Sequence, residues 1–108
     1  MAEVEFTSIK DSLDIRILKS LDKCPKITAY KISQSVSEPE SKVIYRLRRL
    51  ISGGLIVEHN DSNKKLYSLD TAIIHMEDNE IIISTRTFTI KFDLNEIYDM
   101  EKEYAVKK

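Results

Sequence analysis

Apolar residues recur along the first half of the chain at the spacing of amphipathic helices, and along the second half at that of strands. Leu13, Ile17, Leu18 and Leu21 form a stripe that predicts a helix over 12–23, with Asp11 or Ser12 as its N-cap and Pro25 just beyond its end. Ile15 lies off that stripe and is expected to be an ordinary exposed apolar residue, the alternative being a second partner for the helix. Behind Thr28, Ala29, Ile32 and Val36 follow i, i+3, i+7 and predict a short second helix. Ser37 and Glu40 have capping-box spacing and Pro39 suits a first turn, so a third helix is expected from about Glu38 to Ser52 after a tight corner. Val43, Leu47, Leu50 and Ile51 make its apolar face. Ser41, Lys42, Tyr45, Arg48, Arg49 and Ser52 make the opposite one, and Gly53-Gly54 offers the left-handed residue that closes a helix.

Two short β-type runs, 55–58 and 66–69, flank a polar turn cluster over 59–65 and predict a hairpin. A second hairpin is expected from the runs 72–76 and 81–83 around Glu77-Asp78-Asn79-Glu80. Alternation of Phe88, Ile90 and Phe92 with Thr89 and Lys91 marks a half-buried strand, either continuing the preceding one or turning at Thr85-Arg86. From Asn95 onward, Ile97, Met100 and Tyr104 sit at i, i+3, i+7 and suit a final helix. The elements define an α+β chain with residues 1–70 as a helical domain bearing a hairpin and residues 71–108 as a β-appendage and helix on the same unit.

Composition narrows the class. An apolar fraction of 42% and a charged fraction of 32% are those of a soluble domain, and no apolar run is long enough to span a membrane. The first ten residues lack the apolar core of a signal peptide, and the single cysteine, Cys24, allows neither an internal disulfide nor a multi-thiolate metal site, so a cytoplasmic protein is expected. The chain is rich in Ile, Lys and Glu and poor in Gly and Pro, a bias associated with thermophiles, so an archaeal or thermophilic source is expected. Net charge is −1, but it is graded: +1 over 1–37, +1 over 38–70 and −3 over 71–108. No Gly-rich phosphate loop or metal-ligand cluster is visible, and neither His59 nor His75 is placed to act as a base, so no enzyme activity and no cofactor are expected.

The order helix, helix, tight turn, helix, double glycine and polar hairpin resembles the winged helix-turn-helix family. The run SLDIRILKSL over 12–21 is similar to the first helix of ArsR- and MarR-like regulators, and SKVIYRLRRLISGGLI over 41–56 resembles their recognition helix entering the wing. The resemblance covers about residues 10–70. It implies that the third helix enters the major groove of double-stranded DNA, which admits one α-helix, while a preceding helix fixes its angle. By that resemblance Ser41, Lys42, Ile44 and Tyr45 approach base edges, and Arg46, Arg48 and Arg49 reach phosphates. Asn63, Lys64 and Lys65, with Asn60, would contact DNA from the wing tip, and Lys31, Gln34 and Ser33 from the second helix.

A single small domain buries little DNA surface, so a homodimer on a pseudo-palindromic operator is expected, repressing by occlusion of a promoter. Ile97, Met100 and Tyr104 would form its seam, unless that helix packs internally on the strand of Phe88, Ile90 and Phe92. The rival is a winged helix used as a protein-interaction module in a larger assembly, which the weak net charge favours. The identity of any small-molecule effector is not written in these residues.

Overall fold

The computed structural model describes residues 9–77, 80–84 and 89–93. Its elements run α1 (Ser12–Lys23), α2 (Ala29–Val36), α3 (Glu40–Ser52), β1 (Ile56–Asp61), β2 (Lys64–Leu69), β3 (Ile74–Glu77), β4 (Glu80–Ser84) and β5 (Thr89–Asp93). This is an α+β winged helix: three helices, then a β-hairpin wing, then a second sheet of order β3-β4-β5, antiparallel throughout. The last helix expected from Asn95, with Ile97, Met100 and Tyr104, and the residue Phe88 lie outside the described residues.

The helices start and stop for identifiable reasons. Asp11 caps α1, its carboxylate accepting the Asp14 N–H, and Thr28 caps α2 through the Lys31 N–H. The capping box expected at Ser37 and Glu40 does not form. Ser37 instead closes α2 in the left-handed region at φ 57°, the Glu38 N–H reaches back to the Ser33 carbonyl at 3.1 Å, and α3 begins at Glu40 behind Pro39 with no side-chain cap. The competing demand is the sharp corner itself, which takes Ser37 as the end of one helix before it can begin the next. At the far end Gly54, not Gly53, takes the left-handed conformation, at φ 82°.

One core joins the three helices, the wing base and strands β3 and β4. Leu13, Ile17, Leu18 and Leu21 of α1 pack with Ile32 and Val36 of α2, with Val43, Leu47 and Leu50 of α3, and with Leu55, Ile56, Tyr67 and Leu69 of the wing base. Ile15 corrects the sequence reading: it is fully buried and belongs to the same cluster as Ile74, Ile81 and Ile83. A helix can bury residues off its main stripe only if it has a second partner. α1 has one, since it contacts β3 of the second sheet as well as α2 and β2.

The wing is held at both ends. Its strands pair from Ile56↔Leu69 to Asp61↔Lys64, so they run further into the polar cluster than periodicity alone suggests. Ser62 and Asn63 form the two-residue turn, both at positive φ, the geometry whose twist matches that of the flanking strands. At the base, Ile27 from the α1–α2 connection pairs with Tyr67, exchanging N–H···O bonds of 3.2 and 2.8 Å. The wing is thereby hydrogen-bonded to the helical layer. β5 pairs antiparallel with β4 in the register Ile82↔Lys91, which makes it a separate, returning strand, and Thr89 and Lys91 are exposed as alternation predicts.

Candidate nucleic-acid interface

α3 carries four cations within eight residues, and the fold divides them between two directions. Arg46 and Arg49, three residues apart and so one above the other, face the N-terminal turn of α1. There Asp14 is fully buried. Its Oδ2 accepts from Arg49 Nη2 at 2.5 Å and from the Lys10 N–H at 2.8 Å, while its Oδ1 lies 3.3 Å from Arg46 Nη1. Arg46 Nη1 also donates to Asp11 Oδ1 at 2.5 Å. Burial works to raise the Asp11 pKa, but the hydrogen bonds from Arg46 and the Asp14 N–H, and the nearby guanidinium charges, hold it below the ordinary carboxylate value. The hydrogen bond to Asp11 correspondingly raises the Arg46 pKa against the opposing effect of burial. The two arginines are thus spent inside the domain, although the sequence groups them with Arg48. Arg49 in particular leaves the polar face assigned to it because its long side chain reaches Oδ2 of the fully buried Asp14, a carboxylate that costs much to bury without charged partners.

The other direction is open. Ser41, Lys42, Tyr45 and Arg48 are exposed, Tyr45 to 68%, the largest value among the big apolar side chains described. Arg48 has no ion-pair partner among the described residues. Lys42 pairs with Glu38 at 3.3 Å. Ile44, expected on this surface, is half-buried against the core, because it lies beside Val43 and Leu47 on the helix circumference.

Two further elements carry exposed polar residues. On α2, Lys31 and Gln34 are exposed, and Gln34 Nε2 donates to the phenol oxygen of Tyr30 at 2.9 Å. Tyr30, 56% exposed, was not singled out by sequence. It lies off the apolar stripe on which the short α2 is recognised. Ser33 is buried, its hydroxyl donating to the Tyr30 carbonyl, and so is not available to a partner. At the wing, Asn60, Asn63, Lys64 and Lys65 are exposed, with Lys65 3.5 Å from Glu58 across the hairpin. His59 bonds Ser68 Oγ at 2.8 Å. Among the described residues no group of His, Cys, Asp or Glu could hold a metal ion, and no helix is long and apolar enough to cross a membrane.

Residues 10–57 match the winged helix-turn-helix DNA-binding family. The matched segment contains α1, α2, α3 and the first two residues of β1, that is, the Asp–Arg cluster and the exposed face of α3 together. It supports DNA binding, and with it a place in transcription regulation, as the work of the winged helix-turn-helix. No curated protein matches the chain.

Proposed function

We propose that the chain is a transcriptional regulator of the ArsR- or MarR-like kind that binds double-stranded DNA in a sequence-specific manner. The observation that carries this reading is the outward face of α3, where Tyr45 and Arg48 stand exposed on a helix whose opposite sides are fixed by the core and by the Asp14 cluster. A rigid helix with free polar and aromatic groups on one side is what the major groove accepts. Ser41, Lys42 and Tyr45 approach base edges, Arg48 takes a phosphate, and Asn63, Lys64 and Lys65 at the wing tip and Lys31 and Gln34 on α2 add backbone contacts. Arg46, Arg49 and Ile44 hold the helix in place and leave the DNA to its neighbours. The protein acts as a homodimer on a two-fold operator, repressing by occlusion, with Ile97, Met100 and Tyr104 at the seam.

Selection from random duplex DNA with the purified chain at two ionic strengths tests this reading. Enrichment of a two-fold site, with affinity falling steeply as salt rises, is the expected outcome. Absence of enrichment together with salt-independent association would remove it in favour of a protein-interaction module. Light scattering on the eluted protein checks the dimer, which a monomer at micromolar concentration would refute.

A further inference from the structure

A groove between α1 and α2 concentrates positive charge in a chain whose net charge is −1. About 260 Å³ in volume, it is lined by Arg16, Lys19, Lys23 and Lys31 and by the hydroxyl residues Ser20 and Ser35, and none of its lining residues is acidic. The three cations of α1 fall at i, i+3 and i+7, a single stripe along the helix, and Lys31 answers them from α2. A concave surface of one sign focuses potential and draws in the opposite charge.

The polar groups in the groove are only partly used. Ser20 Oγ and Ser35 Oγ lie 2.9 Å apart across it, so one hydroxyl hydrogen is shared between them and the other stays available to an acceptor. Arg16 donates to the Val36 carbonyl at 3.0 Å and approaches Glu38 only to 4.0 Å, leaving further guanidinium donors in hand. Lys23 and Lys31 have no ion-pair partner among the described residues. The volume is below the roughly 300–1,000 Å³ of sites for drug-sized ligands and leaves room for a phosphate group or two.

We propose that this groove is a phosphate-binding site. Its position indicates where the phosphate comes from: Glu38 bridges Arg16 in the groove, at 4.0 Å, and Lys42 on the first turn of α3, at 3.3 Å. The groove therefore adjoins the exposed face of α3, and the backbone of a duplex docked on α3 supplies the phosphate. That assignment of source rests on the DNA-binding reading; the site itself does not. A phosphorylated small molecule would satisfy the same chemistry.

The test uses the full chain, with amide NMR shifts followed on addition of pyrophosphate and, separately, of duplexes of 12 and 24 base pairs, alongside a Lys23→Gln/Lys31→Gln variant. Groove amides are expected to shift with the duplex. The double variant is expected to keep its melting temperature while the slope of log K against log salt becomes shallower by about 0.9 for each phosphate that the groove no longer neutralises. Shifts with pyrophosphate but not with duplex keep the site and assign it to a free phosphorylated ligand. If duplex binding is absent yet pyrophosphate saturates the groove, the DNA-binding reading falls and the site stands. If the groove amides move with neither and the variant's slope is unchanged while Arg48→Ala lowers it, the groove proposal is overturned and DNA binding survives.

Discussion

Arg48 and Arg49 are neighbours in sequence and are chemically identical, yet one faces solvent and the other is locked to a buried carboxylate. Two things decide between them: the rotation of about 100° per residue along a helix, and the presence of Asp14 on α1, thirty-five residues upstream of Arg49. The lesson is that a basic helix in a winged fold need not be basic for DNA. Half of its positive charge is paired within the domain, and the count of arginines on α3 overstates the charge left on its exposed face.

The largest effect expected from this division is on stability. Asp14→Ala removes the buried carboxylate that Arg49 and Arg46 share, leaving Arg46 its bond to Asp11, and is expected to cost about 3 kcal/mol, the scale for breaking a buried pair from one side. Arg49→Ala leaves Asp14 with Arg46 and the Lys10 N–H, and is expected to cost about 2 kcal/mol. Arg48→Ala, on the open face, should stay within about 0.5 kcal/mol. Urea denaturation with unchanged m-values separates the three, and equal losses for Arg48 and Arg49 would erase the distinction between the two sides.

On DNA the order reverses. Arg48→Ala is expected to lower the salt slope by about 0.9 and to weaken all sequences alike, as removal of one phosphate-neutralising cation does. Tyr45→Ala is expected to leave the slope unchanged and to shift the preferred sequence, by about 1 kcal/mol between the best site and its single-base variants. Random-duplex selection with each variant reads both. A Tyr45→Ala protein that enriches the same sites as the parent would remove Tyr45 from base readout.

Much of this architecture is legible in the sequence. Both capped helices, α3 to its double-glycine end, the wing and the second hairpin follow from periodicity and turn residues, because each signal is local. What escapes is long-range. Asp11 reads as a helix cap, and nothing local shows that it and Asp14 meet Arg46 and Arg49 of α3. Ile15 looks exposed because the second sheet that covers its side of α1 is brought there by the fold. The groove of Arg16, Lys19 and Lys23 needs Lys31 of α2 as its other wall, which the spacing within one helix does not show.

The smallest effect isolates the charge in the cluster from its geometry. Asp11→Asn keeps an oxygen for the Asp14 N–H, since Asn caps as well as Asp, but removes the negative charge beside Arg46. Because the pair is partly exposed, the expected loss near neutral pH is below about 1 kcal/mol. Its pH dependence carries the proof. Folding holds the Asp11 pKa below its unfolded value of about 3.9, so the native state binds this proton less readily than the unfolded chain. The stabilisation is therefore complete above that value and disappears as pH falls through the lowered native pKa. The difference in unfolding free energy between parent and variant should be constant from neutral pH to about 5 and close toward zero below about 3.9. A difference that persists undiminished at acid pH would mean that Asp11 acts through its cap alone, and the electrostatic half of the inward face would reduce to Asp14.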